Sequence, residues 1–209
     1  MNKVTEGFLL TLEGGDGVGK STLQHSINQR IIECGFEVIM CREPGGTALG
    51  ERLRDALLVS DRNEVDSLAE LLVFLSARAQ LCTEIIKPAL ENGAIIICDR
   101  FSDSSIAYQH YGRGIKKSVI EDLNSIATSG IIPNRTILLD LDPSIGARRK
   151  GHAQDYMEQE TMDFHNRVRQ GYIASANESP ERWLVIDAIQ EESVILDLVW
   201  TDLEKRISN

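Results

Sequence analysis

Short apolar runs alternate along this sequence with longer stretches in which apolar residues recur every four positions. Five runs are nearly continuous in apolar residues, as is typical of buried parallel strands: residues 8–13, 37–41, 94–98, 136–141 and 182–186. Helices are predicted around Leu23, Ile27 and Ile31, over residues 67–81, and around Ile195, Val199 and Leu203, ending near Ile207. This alternation predicts an α/β fold with a central parallel sheet of about five strands and ligands at the carboxyl ends of the strands.

Length and composition fit one globular domain that spans residues 1–209, because no linker or internal repeat divides the chain. The 22 Lys and Arg against 32 Asp and Glu give a net charge of −10. A general nucleic-acid binder is usually basic, so we expect no nucleic-acid partner. The four cysteines form no C-x-x-C pair, and Cys98 ends an apolar run as a buried thiol would, which indicates a reduced, cytoplasmic protein. No apolar run approaches the length of a membrane span, so no membrane partner is expected.

The segment at residues 14–21 reads G-G-D-G-V-G-K-S and fits G-x-x-x-x-G-K-[ST] without a mismatch. Backbone N–H groups and a helix N-terminus in this context bind phosphate, Lys20 would reach the β- and γ-phosphates, and the Ser21 hydroxyl would ligate Mg²⁺. The motif predicts a P-loop NTPase-type three-layer fold. The ATP site would be formed by Gly14, Gly15, Asp16, Gly17, Val18, Gly19, Lys20, Ser21 and Thr22.

The apolar run that starts at Ala94 ends with Asp99, as expected for the second half of an ATP site. A carboxylate there can hold Mg²⁺ directly or through water. The alternative is that Asp99 caps the helix that follows. A phosphate loop alone does not separate kinases from ATPases or GTPases, although the guanine-reading N-K-x-D motif is absent from the sequence.

Two further motifs distinguish these classes. Residues 42–47 read R-E-P-G-G-T, and residues 99–109 read D-R-F-S-D-S-S-I-A-Y-Q. Together with the phosphate loop they resemble the thymidylate kinase family, which phosphorylates dTMP to dTDP. The likeness runs from about Phe8 to Ala188 and includes residues 164–172. It implies an ATP- and Mg²⁺-dependent dTMP kinase of dTTP biosynthesis that acts as a homodimer.

The resemblance also includes Phe74 and Arg78, which lie four residues apart and so share a face of the predicted helix. An aromatic plane can stack on a base, and a guanidinium can donate to a base carbonyl. The resemblance assigns the two residues to the thymine ring and to its O4. The helix pattern alone favours the alternative, with Phe74 in the core and Arg78 as a surface cation. One thymine methyl discriminates by only about 1–3 kcal/mol, so weaker activity on dUMP is expected.

Charged residues near these motifs are candidates for the acceptor phosphate and sugar. Arg100 can grip a phosphate through two parallel hydrogen bonds, and the resemblance places it on the acceptor phosphate. Arg54 is a second candidate or, equally, a solvated helix charge. Asp16 is unusual in a loop that binds anions, and the resemblance turns it toward the acceptor sugar and its 3′-hydroxyl, with a capacity to bind Mg²⁺.

The motif at residues 99–109 also supplies polar groups for the nucleoside. If this stretch is helical, Ser104 shares a face with Tyr108, and Ser105 with Gln109. The resemblance implies that Ser105 meets the polar edge of thymine and that Tyr108 lies under the sugar, where a 2′-hydroxyl would crowd it. The alternative for Tyr108 is an ordinary half-buried aromatic. The other substrate-binding residues implied are Glu43, Pro44, Ser104 and Gln109.

A mobile lid is expected at about residues 145–158. Family members without an Arg in the phosphate loop carry several in the lid, and Arg148, Arg149 and Lys150 stand here in a row. We hypothesise that Arg148 or Arg149 supplies the transition-state charge; a solvated basic turn is the alternative. The family's D-R-x-E corresponds to residues 155–158, where Tyr156 replaces the Arg.

Two rival functions stay open at this point. Another nucleotide or nucleoside kinase of the same fold is the nearer one, and a nucleoside acceptor would need Glu13 or Asp99 as its base. The second rival is a nucleotide-sensing module that transfers no phosphoryl group. Such a module would not need residues that bind an acceptor, so the joint presence of four of them argues against it: Arg100, Tyr108, Phe74 and Arg78. A dTMP kinase needs no strong general base, because its acceptor phosphate, with a second pKa of about 6, is already largely ionised at neutral pH.

Overall fold

The computed structural model describes residues 7–58, 65–151 and 156–207. Five parallel strands form one sheet in the order β2–β3–β1–β4–β5. The strands are β1 (Phe8–Glu13), β2 (Val38–Arg42), β3 (Ile95–Asp99), β4 (Arg135–Asp140) and β5 (Trp183–Asp187). The predicted five-stranded parallel sheet is confirmed, and the predicted strand ends lie within one residue of those observed.

Helices connect the strands and cover both faces of the sheet. They are α1 (Lys20–Glu33), α2 (Ala48–Leu58), α3 (Ser67–Leu81), α4 (Lys87–Glu91), α5 (Ser102–Ser105), α6 (Lys117–Thr128), α7 (Pro143–Lys150), α8 (Met162–Glu178) and α9 (Glu192–Ile207). None of the helices in the described part of the chain is both long and apolar enough to cross a membrane.

Residues that alternate along β1 point to two different cores, which explains why the strand is apolar throughout. Leu10 and Leu12 pack in the cluster that contains residues of α1 and α9. Leu9 packs on the opposite face with residues of α3 and α4, among them Leu81 and Ala89. Burial of each such side chain contributes about 1.5–3 kcal/mol, so both faces of the sheet stabilise the three-layer arrangement.

Two helical connections contain wide π-helical turns, which the residue spacing did not predict. Helix α3 has the predicted bounds and continues through a π-helical segment, Cys82–Ile86, into α4. Pro88 follows at the start of α4 and has no N–H to give to the preceding turn, which favours this local widening. Helix α5 likewise continues into a π-helical segment, Ile106–Gly112, so the stretch expected to be helical is helical with a wider second half.

Strand pairing brings the ends of three strands to one edge. Asp99 at the end of β3 lies in register with Leu12 of β1 and with Arg42 of β2. The residues that directly follow these three strands therefore lie close together at the carboxyl edge of the sheet. The four cysteines are free and Cys98 is buried, as the apolar run predicted.

Candidate functional site

One cavity of about 500 Å³ lies where the carboxyl ends of the first three strands meet. It gathers residues from six separate segments of the chain, as expected for the carboxyl edge of a parallel sheet. The predicted site residues that line it are Asp16, Gly17, Gly19, Lys20, Ser21, Thr22, Glu43, Pro44, Arg54, Phe74, Arg78, Asp99, Arg100, Ser104, Ser105, Tyr108, Gln109 and Arg149.

Four predicted site residues lie outside this cavity. The phosphate-loop residues Gly14, Gly15 and Val18 line a smaller neighbouring cavity of about 100 Å³. Arg148 lines neither of these two cavities and lies exposed on α7. The structure thus brings all the predicted acceptor residues into one cavity. Of the two candidate lid arginines, only Arg149 lines this cavity.

The phosphate loop requires glycine because its backbone is pressed against other backbone. Gly17 has a φ of 71°, and a Cβ added there would lie 2.2 Å from the carbonyl oxygen of Gly146 on α7. Gly14 has a φ of 133°, and its Cβ would lie 2.5 Å from the carbonyl oxygen of Leu139 on β4. Any side chain at either position would therefore displace the loop from β4 and α7.

Lys20 is buried at the base of the phosphate loop. Its Nζ donates to the carbonyl oxygens of Gly14, at 3.1 Å, and of Gly15, at 2.6 Å. Burial, helped by the Arg100 guanidinium, lowers the pKa of Lys20 to about 8, even though nearby carboxylates oppose the shift. A phosphate oxygen is a stronger partner for an ammonium than a carbonyl, so this lysine can exchange these contacts for an anion.

The acidic residue of the phosphate loop is neutralised by Arg100. Arg100 Nη2 donates to Asp16 Oδ1 at 2.9 Å, while Nη1 donates to the Gly14 carbonyl at 2.9 Å and to the Tyr172 hydroxyl at 3.0 Å. Burial opposes ionisation of Asp16, but Arg100 and Lys20 outweigh it and hold the pKa of Asp16 at about 2. The carboxylate is therefore ionised and paired, which removes the expected repulsion of anions.

Arg100 has a φ of 68°, in the left-handed region that non-glycine residues rarely adopt. Its own N–H donates to the Leu12 carbonyl at 3.0 Å, and the next N–H, that of Phe101, donates to Glu13 Oε1 at 2.8 Å. Glu13 Oε2 also accepts from Ser104 Oγ at 2.7 Å. Complete burial raises the pKa of Glu13 to about 7. Both Glu13 oxygens are thus engaged by the segment that follows Arg100, and Glu13 holds the turn that aims Arg100.

Ser21 and Asp99 have the chemistry of a magnesium site. Ser21 Oγ lies 3.5 Å from Asp99 Oδ2, and Asp99 Oδ1 is buried without a hydrogen-bond partner among the described residues. Asp99 makes no capping bond to α5, so the alternative role as a helix cap is wrong. Mg²⁺ is commonly bound through one or two carboxylates together with phosphates and water, and these two residues fit that ligand set.

The base side of the cavity contains Arg78, which is 1% exposed and is no surface cation. Its Nε and Nη2 donate to Glu43 Oε2, at 2.8 and 2.5 Å, and Nη2 also donates to the Phe101 carbonyl. Its Nη1 donates to Ser105 Oγ at 2.8 Å and to Asn124 Oδ1 at 2.6 Å. All five N–H groups are therefore engaged, and the guanidinium is locked in one orientation.

Aromatic side chains form the walls beside this locked guanidinium. Phe74 is half-buried and lines the cavity one helical turn from Arg78. Tyr108 is buried, with the Arg100 guanidinium carbon 5.1 Å from its ring centroid. Its ring meets Phe164 and Tyr172 at centroid distances of 6.1 and 6.3 Å. Such packing fixes the Tyr108 ring against one side of the cavity.

The remaining acceptor residues are also held by neighbours. Arg54 Nη1 donates to the Pro44 carbonyl at 3.0 Å and lines the cavity, so it is not merely a solvated helix charge. Gln109 is 2% exposed, and its Nε2 donates to Glu70 Oε1 at 2.8 Å. Ser104 Oγ lies 2.8 Å from the Tyr172 hydroxyl.

The predicted lid begins as the last turns of α7. Arg149 lines the cavity while its Nη1 donates to the Ala188 carbonyl at 2.9 Å. Lys150 lines both cavities and pairs with Glu158. Tyr156, at the position of the family's lid arginine, is 2% exposed and packs in a hydrophobic cluster away from solvent. Asp155 of the D-R-x-E pattern and residues 152–154 lie outside the described residues.

Some residues that shape the site were missed or undervalued from sequence. Tyr172 contacts both Arg100 and Ser104, and its only signal was membership of the motif at residues 164–172. Lys150 was recognised as a lid cation but not assigned to the site. Glu70 sits four residues before Phe74 on the same helix face, a spacing that pointed toward the cavity.

The arrangement as a whole can hold two anionic groups side by side. Lys20 and Arg100 line the cavity, and α7 adds the exposed cations Arg149 and Lys150 to the same lining. Clustered cations of this kind stabilise the charge that develops as a phosphoryl group is transferred.

Comparisons with known proteins agree with this geometry. The thymidylate kinase family model matches residues 12–199. A thymidylate kinase of Deinococcus radiodurans is 40% identical over 206 residues, covering 97% of this chain and 99% of that protein. One of Desulfovibrio desulfuricans is 45% identical over 199 residues, covering 90% and 92%. The crystal structure of thymidylate kinase from Ehrlichia chaffeensis has a TM-score of 0.80 and 34% identity, covering 95% of this chain and 99% of that chain. This chain therefore belongs to the thymidylate kinase family of enzymes.

Proposed function

We propose that this enzyme phosphorylates dTMP to dTDP, with ATP as the phosphoryl donor and Mg²⁺ as the metal. The observation that carries the proposal is that one cavity joins the phosphate loop to a buried guanidinium flanked by aromatic walls. The phosphate loop explains how the phosphoryl donor binds. Binding of a nucleotide acceptor requires, in addition, a neighbouring pocket that fits a base and offers polar groups to its edge.

On the donor side, residues 14–22 cradle the ATP phosphates with backbone N–H groups and the start of α1. Lys20 leaves the Gly14 and Gly15 carbonyls and turns to the phosphate oxygens. Ser21 and Asp99 would hold Mg²⁺, which when bound would neutralise negative charge on the phosphates.

On the acceptor side, Arg100 binds the dTMP phosphate with Arg54 as its second cation. Asp16, kept ionised by Arg100, accepts from the 3′-hydroxyl of the sugar, and Tyr108 lies below the ring where a 2′-hydroxyl would crowd it. The thymine stacks on Phe74. Arg78 meets O4 by sharing the N–H that it gives to Ser105, whose hydroxyl then serves the base edge. Glu43, Pro44, Ser104 and Gln109 complete the pocket.

The chemistry needs positioning and charge more than a base. The acceptor phosphate has a second pKa of about 6 and is largely ionised at neutral pH, so it attacks without losing a proton. Lys20 and Arg100 bring the two anionic groups together, and Arg149 or Arg148 supplies charge at the transition state from the lid segment at about residues 145–158. Glu13 has no proton to accept in this reaction, which separates it from the nucleoside-kinase alternative.

The remaining features of the proposal follow the family resemblance. We propose one kinase domain over residues 1–209 in a homodimer that works in the cytoplasm. Leu68 and Leu72 are 50% and 46% exposed, one turn apart on α3, and an apolar stripe of this kind suits a subunit contact. Light scattering of the purified protein would give a mass of about two chains.

The decisive experiment measures ADP release and diphosphate product with ATP, Mg²⁺ and each nucleoside monophosphate in turn, with thymidine as an added acceptor. We expect strong turnover with dTMP and none with thymidine. Turnover with dUMP should be weaker but detectable, because dUMP lacks only the thymine methyl, and one methyl group discriminates weakly between substrates. Lys20→Ala should lower kcat by about 10²–10³, the usual loss when one charge-stabilising donor is removed.

The exposed residue Lys87 gives the matched control, since Lys87→Ala removes the same charge from a residue that does not line the cavity and should leave turnover intact. Turnover with a different acceptor would discard the base assignment and keep the kinase chemistry. ATP binding with no turnover on any acceptor would favour the nucleotide-sensing alternative.

A further inference from the structure

A buried carboxylate that the proposed mechanism does not use lies beside the base pocket. Glu70 on α3 is 1% exposed and accepts hydrogen bonds from three side chains in two other parts of the chain. Gln109 Nε2 donates to it at 2.8 Å, Arg113 Nη2 at 2.8 Å and the Tyr156 hydroxyl at 2.7 Å. A carboxylate removed from water needs such partners, so α3, residues 109–113 and Tyr156 are held together at this one carboxylate.

The first of these partners faces the substrate cavity. Gln109 is buried and lines the cavity, and its amide nitrogen is held by Glu70. A reversed amide would set its oxygen against the carboxylate, so the contact selects one orientation. One N–H of the amide is therefore given to Glu70, and the amide oxygen is left to accept from a ligand. Glu70 in this way presents an acceptor group at Gln109 to the base.

The second and third partners connect Glu70 to the segment at residues 156–160. Tyr156 belongs to that segment, and Arg113, which directly follows the π-helical segment Ile106–Gly112, contacts it. Tyr156 gives its hydroxyl hydrogen to Glu70, and Arg113 joins Glu70 to Glu160 at 2.5 Å and to Met157 Sδ at 3.5 Å. Met157 and Glu158 line the cavity. The residues that close this side of the cavity are thus fastened to the same carboxylate that orients Gln109.

This network also explains the departure from the family pattern at position 156. An arginine there would bring a second guanidinium to a carboxylate that Arg113 already neutralises, whereas a phenol donates one hydrogen bond without adding charge. Burial of the Tyr156 ring with Phe164 and Val168 in one hydrophobic cluster holds the hydroxyl in place.

We propose that Glu70 is a positioning residue that couples the segment 156–160 to the base pocket, so that the Tyr156 hydroxyl sets the affinity for the acceptor nucleotide through Gln109. The inference rests on the proposed function, because it assumes that a nucleotide base occupies the pocket. It assigns Tyr156 to acceptor binding, in place of the phosphate contact that an arginine at this position would make.

The test is a double-mutant cycle of Tyr156→Phe and Gln109→Leu in the full chain, read as KM for dTMP, KM for ATP and kcat. Tyr156→Phe removes one hydroxyl and leaves Glu70 paired with Arg113, so we expect the variant to fold. We expect its KM for dTMP to rise about fivefold or more, with kcat and the KM for ATP changed less than twofold. In the Gln109→Leu background the same change should have little further effect, because coupled positions are not additive.

Asp202→Asn is the stability control, since it weakens the bidentate Arg135–Asp202 pair between β4 and α9, outside the cavity. It should lower the melting temperature and leave both KM values unchanged. Direct dTMP binding by calorimetry provides a readout independent of turnover.

An unchanged KM for dTMP in Tyr156→Phe would overturn the inference, as would equal effects of the change in both backgrounds. Equal shifts in kcat and both KM values would indicate a structural role only and would overturn it as well. Failure of the wild-type enzyme to phosphorylate dTMP would instead overturn the proposed function, and it would be seen before any variant is compared.

Discussion

The two halves of the cavity hold their cations in different ways. On the base side, Arg78 is buried and gives all five N–H groups to side chains and a carbonyl, including the carboxylate of Glu43. On the phosphate side, Arg100 pairs with the Asp16 carboxylate and Lys150 with Glu158, but Lys20 donates to two backbone carbonyls and Arg149 to one. Neutral carbonyls are weaker partners for cations than phosphate oxygens. The base half is therefore preorganised for recognition, while the phosphate half keeps two cations, Lys20 and Arg149, that anions can recruit from neutral partners.

The largest effect should come from breaking the preorganised half. Arg78→Ala leaves Glu43 as an unpaired buried charge, which is expected to lower the free energy of unfolding by about 3–5 kcal/mol. Urea denaturation of the wild type and of Arg78→Ala would measure this loss in the free energy of unfolding. Arg206→Ala is the control, because its partly exposed pair with Asp202 should change stability by no more than about 0.5 kcal/mol. A loss below about 1 kcal/mol for Arg78→Ala would show that the base half is not locked by this pair.

A smaller effect, and one that depends on pH, is expected where the two halves join. The pKa of Glu13 is raised from 4.5 to about 7 by burial, so its favourable contribution is complete below pH 4.5 and is lost as the pH rises through 7. Glu13→Gln removes this titration and keeps acceptor and donor groups for Phe101 and Ser104. Between pH 5 and pH 8 the wild type should lose about 2–3 kcal/mol of unfolding free energy relative to Glu13→Gln, because only the wild type has to ionise this buried carboxyl.

Urea denaturation at the two pH values would measure that loss. The sign is the informative part, since a carboxyl kept ionised by partners would behave in the opposite way. A difference between Glu13→Gln and wild type that is the same at both pH values would mean that Glu13 is ionised throughout and serves as an ordinary anionic anchor.

The smallest effect is expected at the rim of the phosphate half. Arg149 lines the cavity and Arg148 does not, although the two are neighbours and both are exposed on α7. Arg149→Ala should therefore lower kcat about tenfold, which corresponds to about 1.4 kcal/mol, while Arg148→Ala should change it less than twofold. Steady-state kinetics with dTMP would separate them, and each serves as the control of the other. Full kcat in both variants would place the transition-state charge elsewhere, with Lys150 as the next candidate.

Periodicity and local motifs predicted the framework closely. The strand at residues 37–41 was observed at Val38–Arg42, and α3 has the predicted bounds. Continuous apolar runs specify buried strands because both faces of the sheet are covered. The widened turns at Cys82–Ile86 and Ile106–Gly112 were not predicted, since a π turn changes hydrogen bonding without changing the apolar pattern.

The sequence predicted which residues form the candidate site better than it predicted how they are arranged. Arg78 was expected on the surface from the helix pattern alone, and only its partners in other elements explain its burial. Tyr156 was noted as a missing lid cation, and the structure shows its hydroxyl on Glu70 instead. In both cases the energy that decides the position comes from a buried charge whose partner is remote in sequence.

The sequence by itself determined the phosphate loop, because consecutive residues supply the glycines, the lysine and the helix start that together form a cradle from backbone groups. It also determined the sheet, since apolar runs of strand length have few other ways to bury both faces. Only the tertiary structure decided how the base pocket is locked. The Glu43 and Asn124 partners of Arg78 lie 35 and 46 residues away, and Tyr156 lies 86 residues from Glu70. Hydrogen bonds of buried groups depend on where the folded chain places their partners, and spacing along the sequence does not encode that.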